Sequence, residues 1–176
     1  MKAKNAHVRV NSMKDKILWI VIALVTLVAL GVILMFNAKP KEIESFKSMH
    51  LGYSGGWSAY AYTIYDLEKK DDGYYVTIKP YGVPDDEKQT VKLTDEQVKE
   101  LLEILNKYEV RKWNGFHKTD RNVLDGDSFS FSLYTEDDEI SASGYMRWPK
   151  NYSEVRSALY DLFNPLYQYK DDKVYE

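Results

Sequence analysis

One uninterrupted apolar run, residues 17–36 (ILWIVIALVTLVALGVILMF), constrains this chain more than any other feature. It holds 20 residues without a charge, and fourteen of them are Leu, Ile, Val or Phe. As a helix rising about 1.5 Å per residue, such a run spans about 30 Å, the thickness of a bilayer's hydrocarbon core. A helix buried in a soluble core would show a polar face, and here only Trp19 and Thr26 are mildly polar. A cleavable signal peptide has a shorter apolar region and a small-x-small site, which Phe36-Asn37-Ala38 does not supply. The sequence therefore predicts a single transmembrane helix over 17–36, acting as an uncleaved signal anchor in the lipid bilayer.

Flanking charge predicts the orientation. Residues 1–16 carry five basic residues (Lys2, Lys4, Arg9, Lys14, Lys16) against the single acid Asp15, a net of +4. The whole chain is −3, which leaves −7 for the remainder. Basic tails stay in the cytoplasm, so 1–16 reads as a cytoplasmic tail and the carboxy-terminal part as lying outside the cell membrane. An acidic outer part argues against a nucleic-acid partner, which needs a basic stripe. The chain has no cysteine, which removes thiol catalysis, disulfides and zinc-thiolate sites.

After the apolar run, residues 37–42 form a short linker, residues 43–170 one domain, and 171–176 a polar tail. Strands are expected at 43–51, 58–69, 74–81, 89–93, 128–134 and 139–143, from alternating apolar and polar residues. Asp71-Asp72-Gly73 marks a hairpin turn. Thr94-Asp95-Glu96-Gln97 is a capping box opening a helix whose buried stripe is Val98, Leu101, Leu102 and Leu105. A second helix is expected over 153–163, with Val155, Leu159 and Leu162 inward and Asn164-Pro165 stopping it. The order predicts an α+β fold: an antiparallel sheet with two helices packed on one face, preceded by the transmembrane helix.

Chemistry concentrates in 110–127 (VRKWNGFHKTDRNVLDGD), read as a long functional connection. Asp120, Asn122, Asp125 and Asp127 beside Gly126 resemble cation ligands, but the spacing fails the calcium-loop pattern, so no metal and no cofactor are expected. His117 with Asp120 could serve acid–base hydrolysis, although no nucleophile elbow or metalloprotease motif accompanies them. Aromatics beside glycines and proline, in 52–57 and in 144–149, suggest a recognition surface that stacks on sugars or grips a peptide. The candidate ligand-binding residues are Trp57, Trp113, His117, Asp120, Arg121, Tyr145 and Trp148.

The motifs Trp113-Asn114-Gly115-Phe116, 123–129 (VLDGDSF), 142–145 (ASGY) and 149–152 (PKNY) together resemble a motif series in uncharacterised exported, membrane-anchored domains of Gram-positive bacteria. That resemblance implies location and the unity of the domain, with no activity and no functional residue carried over. The leading expectation is a membrane-anchored, non-enzymatic binding or interaction module acting on cell-wall polymer or an envelope protein. The alternatives are a tethered hydrolase using acids or His117, and an accessory subunit pairing through its membrane helix.

Overall fold

The computed structural model describes residues 13, 16–30, 41–55, 63–80 and 83–168. Most of the basic stretch 1–16, most of the linker 37–42 and all of 171–176 lie outside the described residues. Residues before Pro40 and those from Pro40 onward are two separate compact units.

The first unit corrects the sequence expectation. Residues 16–30 are helical, with apolar side chains exposed and the Thr26 hydroxyl satisfied by the carbonyls of Ile22 (3.0 Å) and Ala23 (2.9 Å). That stretch reaches about 22 Å, short of the roughly 30 Å of a hydrocarbon core. Among the described residues no helix is long and apolar enough to cross a membrane, so the transmembrane helix expected over 17–36 is not seen; residues 31–36 lie outside the described residues.

The second unit is built on seven strands: β1 (Ser48–Ser54), β2 (Ile64–Lys70), β3 (Gly73–Lys79), β4 (Gln89–Lys92), β5 (Phe116–Thr119), β6 (Ser128–Tyr134) and β7 (Glu139–Tyr145). They lie side by side in the order β4-β3-β2-β1-β6-β7-β5. The expected antiparallel sheet is in fact mixed, because β5 pairs with β7 in parallel, Phe116 opposite Ala142 and Thr119 opposite Tyr145. Strand β5 lies inside the stretch read as a loop. Its four residues carry one apolar side chain at the half-buried Phe116, so an edge strand this short leaves no alternation to read. The β6–β7 hairpin then fills the space beside β1, and the chain reaches it by running over the end of β7. The true loop is 120–127, tied by Asp120 N–H to the Tyr145 carbonyl (2.9 Å) and by the Tyr145 hydroxyl to the Leu124 carbonyl (2.8 Å).

Strand alternation sorts the two sheet faces. Met49 and Leu51, Tyr65 and Leu67, Val76 and Ile78, Phe129, Phe131 and Leu133, and Ile140 and Ala142 all point inward. Helices α1 (Asp95–Lys107) and α2 (Tyr152–Phe163) cover that face with Leu101, Ile104 and Leu105 and with Val155, Leu159, Leu162 and Phe163, forming one core. The capping box is present: the Thr94 hydroxyl accepts from Gln97 N–H (3.2 Å) and the Gln97 side chain from Thr94 N–H (2.9 Å). Removing that hydroxyl orphans a helix-terminal donor, so Thr94→Ala is expected to cost about 1 kcal/mol in urea denaturation.

The strand expected from Ile43 begins later. Ile43 and Phe46 are buried, yet they precede β1: the segment packs into the core before it pairs, with Ile43 N–H and C=O both taken by the Asn106 side chain (2.7 and 2.9 Å). Residues 58–62, the first part of the strand expected over 58–69, lie outside the described residues.

Gly144 fixes the path of the chain beyond β7. A Cβ there would fall 1.9 Å from the Arg147 carbonyl oxygen and 2.6 Å from Phe129, so the following segment folds back onto the strand only because the side chain is missing. Gly144→Ala is expected to lower unfolding free energy by about 3 kcal/mol or more, measured by urea denaturation of the full-length chain.

Candidate functional site

The segment that Gly144 admits forms a strap from Met146 to Asn151, and it is held at both ends. Met146 (φ 52) and Asn151 (φ 63) occupy the left-handed region, which costs a side chain of Met's size on the order of 1 kcal/mol. Surrounding bonds hold that conformation in place. Met146 N–H donates to the Asp127 carbonyl (2.8 Å) and Arg147 to the Asp120 carboxylate (2.9 Å). The Asn151 side chain donates to the Tyr108 carbonyl (3.2 Å), and the Trp113 indole N–H to the Lys150 carbonyl (2.9 Å).

The strap projects Trp148 over the start of α2. Its ring stacks on Tyr152 (centroids 4.9 Å apart, planes at 22°) and faces Tyr53 of β1 (5.8 Å, 23°), with Phe129 behind (5.4 Å). Trp148 remains 37 % exposed, so this aromatic stack is open to solvent along one side. Beside it lies a groove of about 510 Å³, within the range of small-molecule clefts. Its walls are Tyr53, Trp148, Pro149 and Tyr152, and its polar groups are Asp127, Lys150, Asn151, Ser153, Glu154 and Arg156. A second hollow of about 220 Å³ shares Tyr53, Tyr152, Ser153 and Arg156.

Polar partners inside the groove are unevenly satisfied. The Tyr53 hydroxyl donates to the Asp127 carboxylate (2.6 Å), and the Arg156 guanidinium lies over the Tyr53 ring, 5.0 Å from its centroid. Burial first, and then the bond to Asp127, push the Tyr53 phenol up to about 12. Burial pushes the Tyr152 phenol up further. Tyr152 is 5 % exposed, and its hydroxyl has no hydrogen-bond partner among the described residues. A buried hydroxyl left unpaired costs about 1–3 kcal/mol.

The sequence-derived candidates divide sharply. Trp148 is at the groove. Trp113 is 1 % exposed and belongs to the core, edge-on to Phe131 (5.2 Å) and tilted on Tyr152 (5.8 Å), so no ligand reaches it. Trp57 lies outside the described residues. His117 stands on the opposite sheet face, where its Nδ1 meets the Ser143 hydroxyl (2.9 Å). Asp120 is instead bonded to Arg147 and to its own turn at Asn122 N–H (3.1 Å), so the structure gives His117 and Asp120 different partners. Arg121 is exposed in the same turn, and the Tyr145 hydroxyl is taken by Leu124. Among the described residues no three His, Asp or Glu side chains converge on a metal position. Sequence reading missed Tyr152 and Arg156, although their spacing of four residues puts them on one helix face.

The solvent face of the sheet carries a different array. His50 Nδ1 meets the Asp66 carboxylate (2.7 Å) and its Nε2 the Ser130 hydroxyl (3.0 Å), the order of a Ser-His-Asp relay. Gly52 makes room for it, since a Cβ there would fall 2.8 Å from both His50 Nε2 and Ser130 Oγ. Ser130 sits mid-strand, paired with Gly52 on one side and Ser143 on the other, so its backbone N–H belongs to the sheet and not to an oxyanion. None of the cavities described above includes these residues. The relay is a cross-strand bridge on an open face.

No family model matches the chain, and no curated protein matches it either. The functional reading rests on the groove itself.

Two measurements check this geometry. Trp113→Ala is expected to cost about 3–5 kcal/mol of stability, whereas Trp148→Ala, which opens no enclosed cavity, costs about 1 kcal/mol; urea denaturation separates them. Because Tyr53 ionises near 12 in the folded chain and near its ordinary value of 10 unfolded, its contribution is complete below pH 10. Stability is then expected to fall as pH rises from 10 to 12, with tyrosinate absorbance lagging for this residue.

Proposed function

We propose that this domain is a non-enzymatic binding module whose groove takes a saccharide unit, with cell-wall polymer as the natural source. One observation carries the reading: an exposed tryptophan stacked on a buried tyrosine whose hydroxyl lacks a partner. Pyranose rings present a face of C–H groups, which suits the Trp148 ring, and an edge of hydroxyls, which suits a mixed set of donors and acceptors. Asp127 offers acceptor oxygens and Arg156 offers donors. Every one of these groups is held by the strap, by β1 or by the first turns of α2. Such a site loses little entropy on binding.

Catalysis has less support. His117 and Asp120 have separate partners, and the His50 relay faces open solvent. Co-sedimentation of the full-length chain with cell-wall sacculi, chitin and cellulose at two salt concentrations tests the binding reading. Salt-resistant retention on at least one polymer is expected, weakened about tenfold or more by Trp148→Ala in a variant that remains folded. No retention on any of them, or retention untouched by Trp148→Ala, would reject the groove as a saccharide site.

A further inference from the structure

We infer that the saccharide unit seated on Trp148 is a uronic acid or another carboxylate-bearing sugar, its carboxylate received by Arg156; this rests on the saccharide reading above.

The groove's donors and acceptors are out of balance. The acids of the groove already have hydrogen-bond donors: Asp127 takes the Tyr53 hydroxyl (2.6 Å) and Glu154 takes the Ser153 hydroxyl (2.8 Å). Its cations lack carboxylate partners. Among the described residues the arginines paired with carboxylates are Arg111 and Arg147, and neither Arg156 nor Lys150 joins an ion pair. Stacking on Tyr53 holds the Arg156 guanidinium in place at the groove. Four residues back on the same helix face, the Tyr152 ring lines the same groove, with its hydroxyl buried.

The edge of a guanidinium presents two parallel donors, which match the two oxygens of a carboxylate in bidentate geometry. A phosphate brings more negative charge and more acceptors than this set can meet, with Asp127 and Glu154 nearby to oppose it. A neutral sugar would stack equally well but would leave the fork unmatched. Carboxylate is therefore the chemistry that completes the groove.

The test titrates the full-length chain with two hexasaccharides of equal length, neutral chitohexaose and acidic hexagalacturonate, followed by tryptophan fluorescence. The acidic sugar is expected to bind about tenfold more tightly. Arg156→Gln should weaken hexagalacturonate about tenfold more than it weakens chitohexaose, which removes that preference, while Arg156→Lys, which keeps the charge but loses the fork, restores only part of it. Equal binding of the two sugars, or a preference that survives Arg156→Gln, overturns the acidic assignment and leaves the saccharide reading standing. Tighter binding of glucose 6-phosphate than of galacturonate overturns the carboxylate in favour of phosphate. Failure of every sugar to bind overturns both readings.

Discussion

The Trp113 indole is the piece on which the functional end of this domain depends. It follows α1 in a 3-10 turn, Val110–Trp113, and inserts between β6 and α2, edge-on to Phe129 and Phe131 and tilted on Tyr152. A ring of that size removes a large apolar surface from water, and its one polar atom is satisfied by the Lys150 carbonyl. That bond joins the core to the strap, beside the contacts of Trp148 with Phe129 and Tyr152. Through these ties, the packing that holds the sheet and helices together also fixes the height at which Trp148 stands over Tyr152. The strained backbone at Met146 and Asn151 persists because this anchor, the Asp127 carbonyl and Asn151's own bond to Tyr108 leave the strap no relaxed path.

The two sheet faces have opposite physical roles. Inward residues make one continuous core with both helices. Outward residues make a hydrogen-bonded mosaic of serines, threonines and two histidines, in which Thr77 meets Thr90 (2.8 Å), Ser54 meets Ser128 (2.6 Å), and His50 bridges Asp66 to Ser130. Such cross-strand pairs add to register on a face that no apolar layer covers. The groove belongs to neither face. It lies where β1, the end of β7 and the start of α2 converge, and a positioned aromatic surface can stay open there because the strands behind it are paired on both sides.

Much of this was legible in the sequence where a local rule governs. The capping box at Thr94 specifies α1, and the strict alternation of Phe129, Phe131 and Leu133 with serines specifies β6 over the same seven residues, 128–134. Rules failed where long-range pairing decides. β5 has too few residues to show a period, and its parallel partner β7 lies beyond an intervening strand, β6, so 110–127 read as one long loop. The apolar run at 17–36 read as a membrane helix on composition, whereas the helix among the described residues spans only 16–30. Trp113 was a ligand-binding candidate from its place in 110–127, but it is buried by packing against residues more than fifteen positions away. Trp148 was legible as an aromatic outside regular structure, between Gly144 and Pro149. Tyr152 and Arg156 were hidden inside a helix whose other positions serve the core.

A preformed groove fits the way these parts are connected: the aromatic stack, the guanidinium and the orphan hydroxyl are each held by contacts that owe nothing to a ligand. Binding at such a site should alter its surface and leave the core behind it undisturbed. The most direct measurement is the set of indole N–H resonances of the ¹⁵N-labelled full-length chain during titration with hexagalacturonate. The Trp148 signal is expected to move progressively with ligand while that of Trp113, bonded to Lys150 in the core, stays in place. A titration in which Trp148 does not move, or in which Trp113 shifts as far as Trp148 does, would contradict the account.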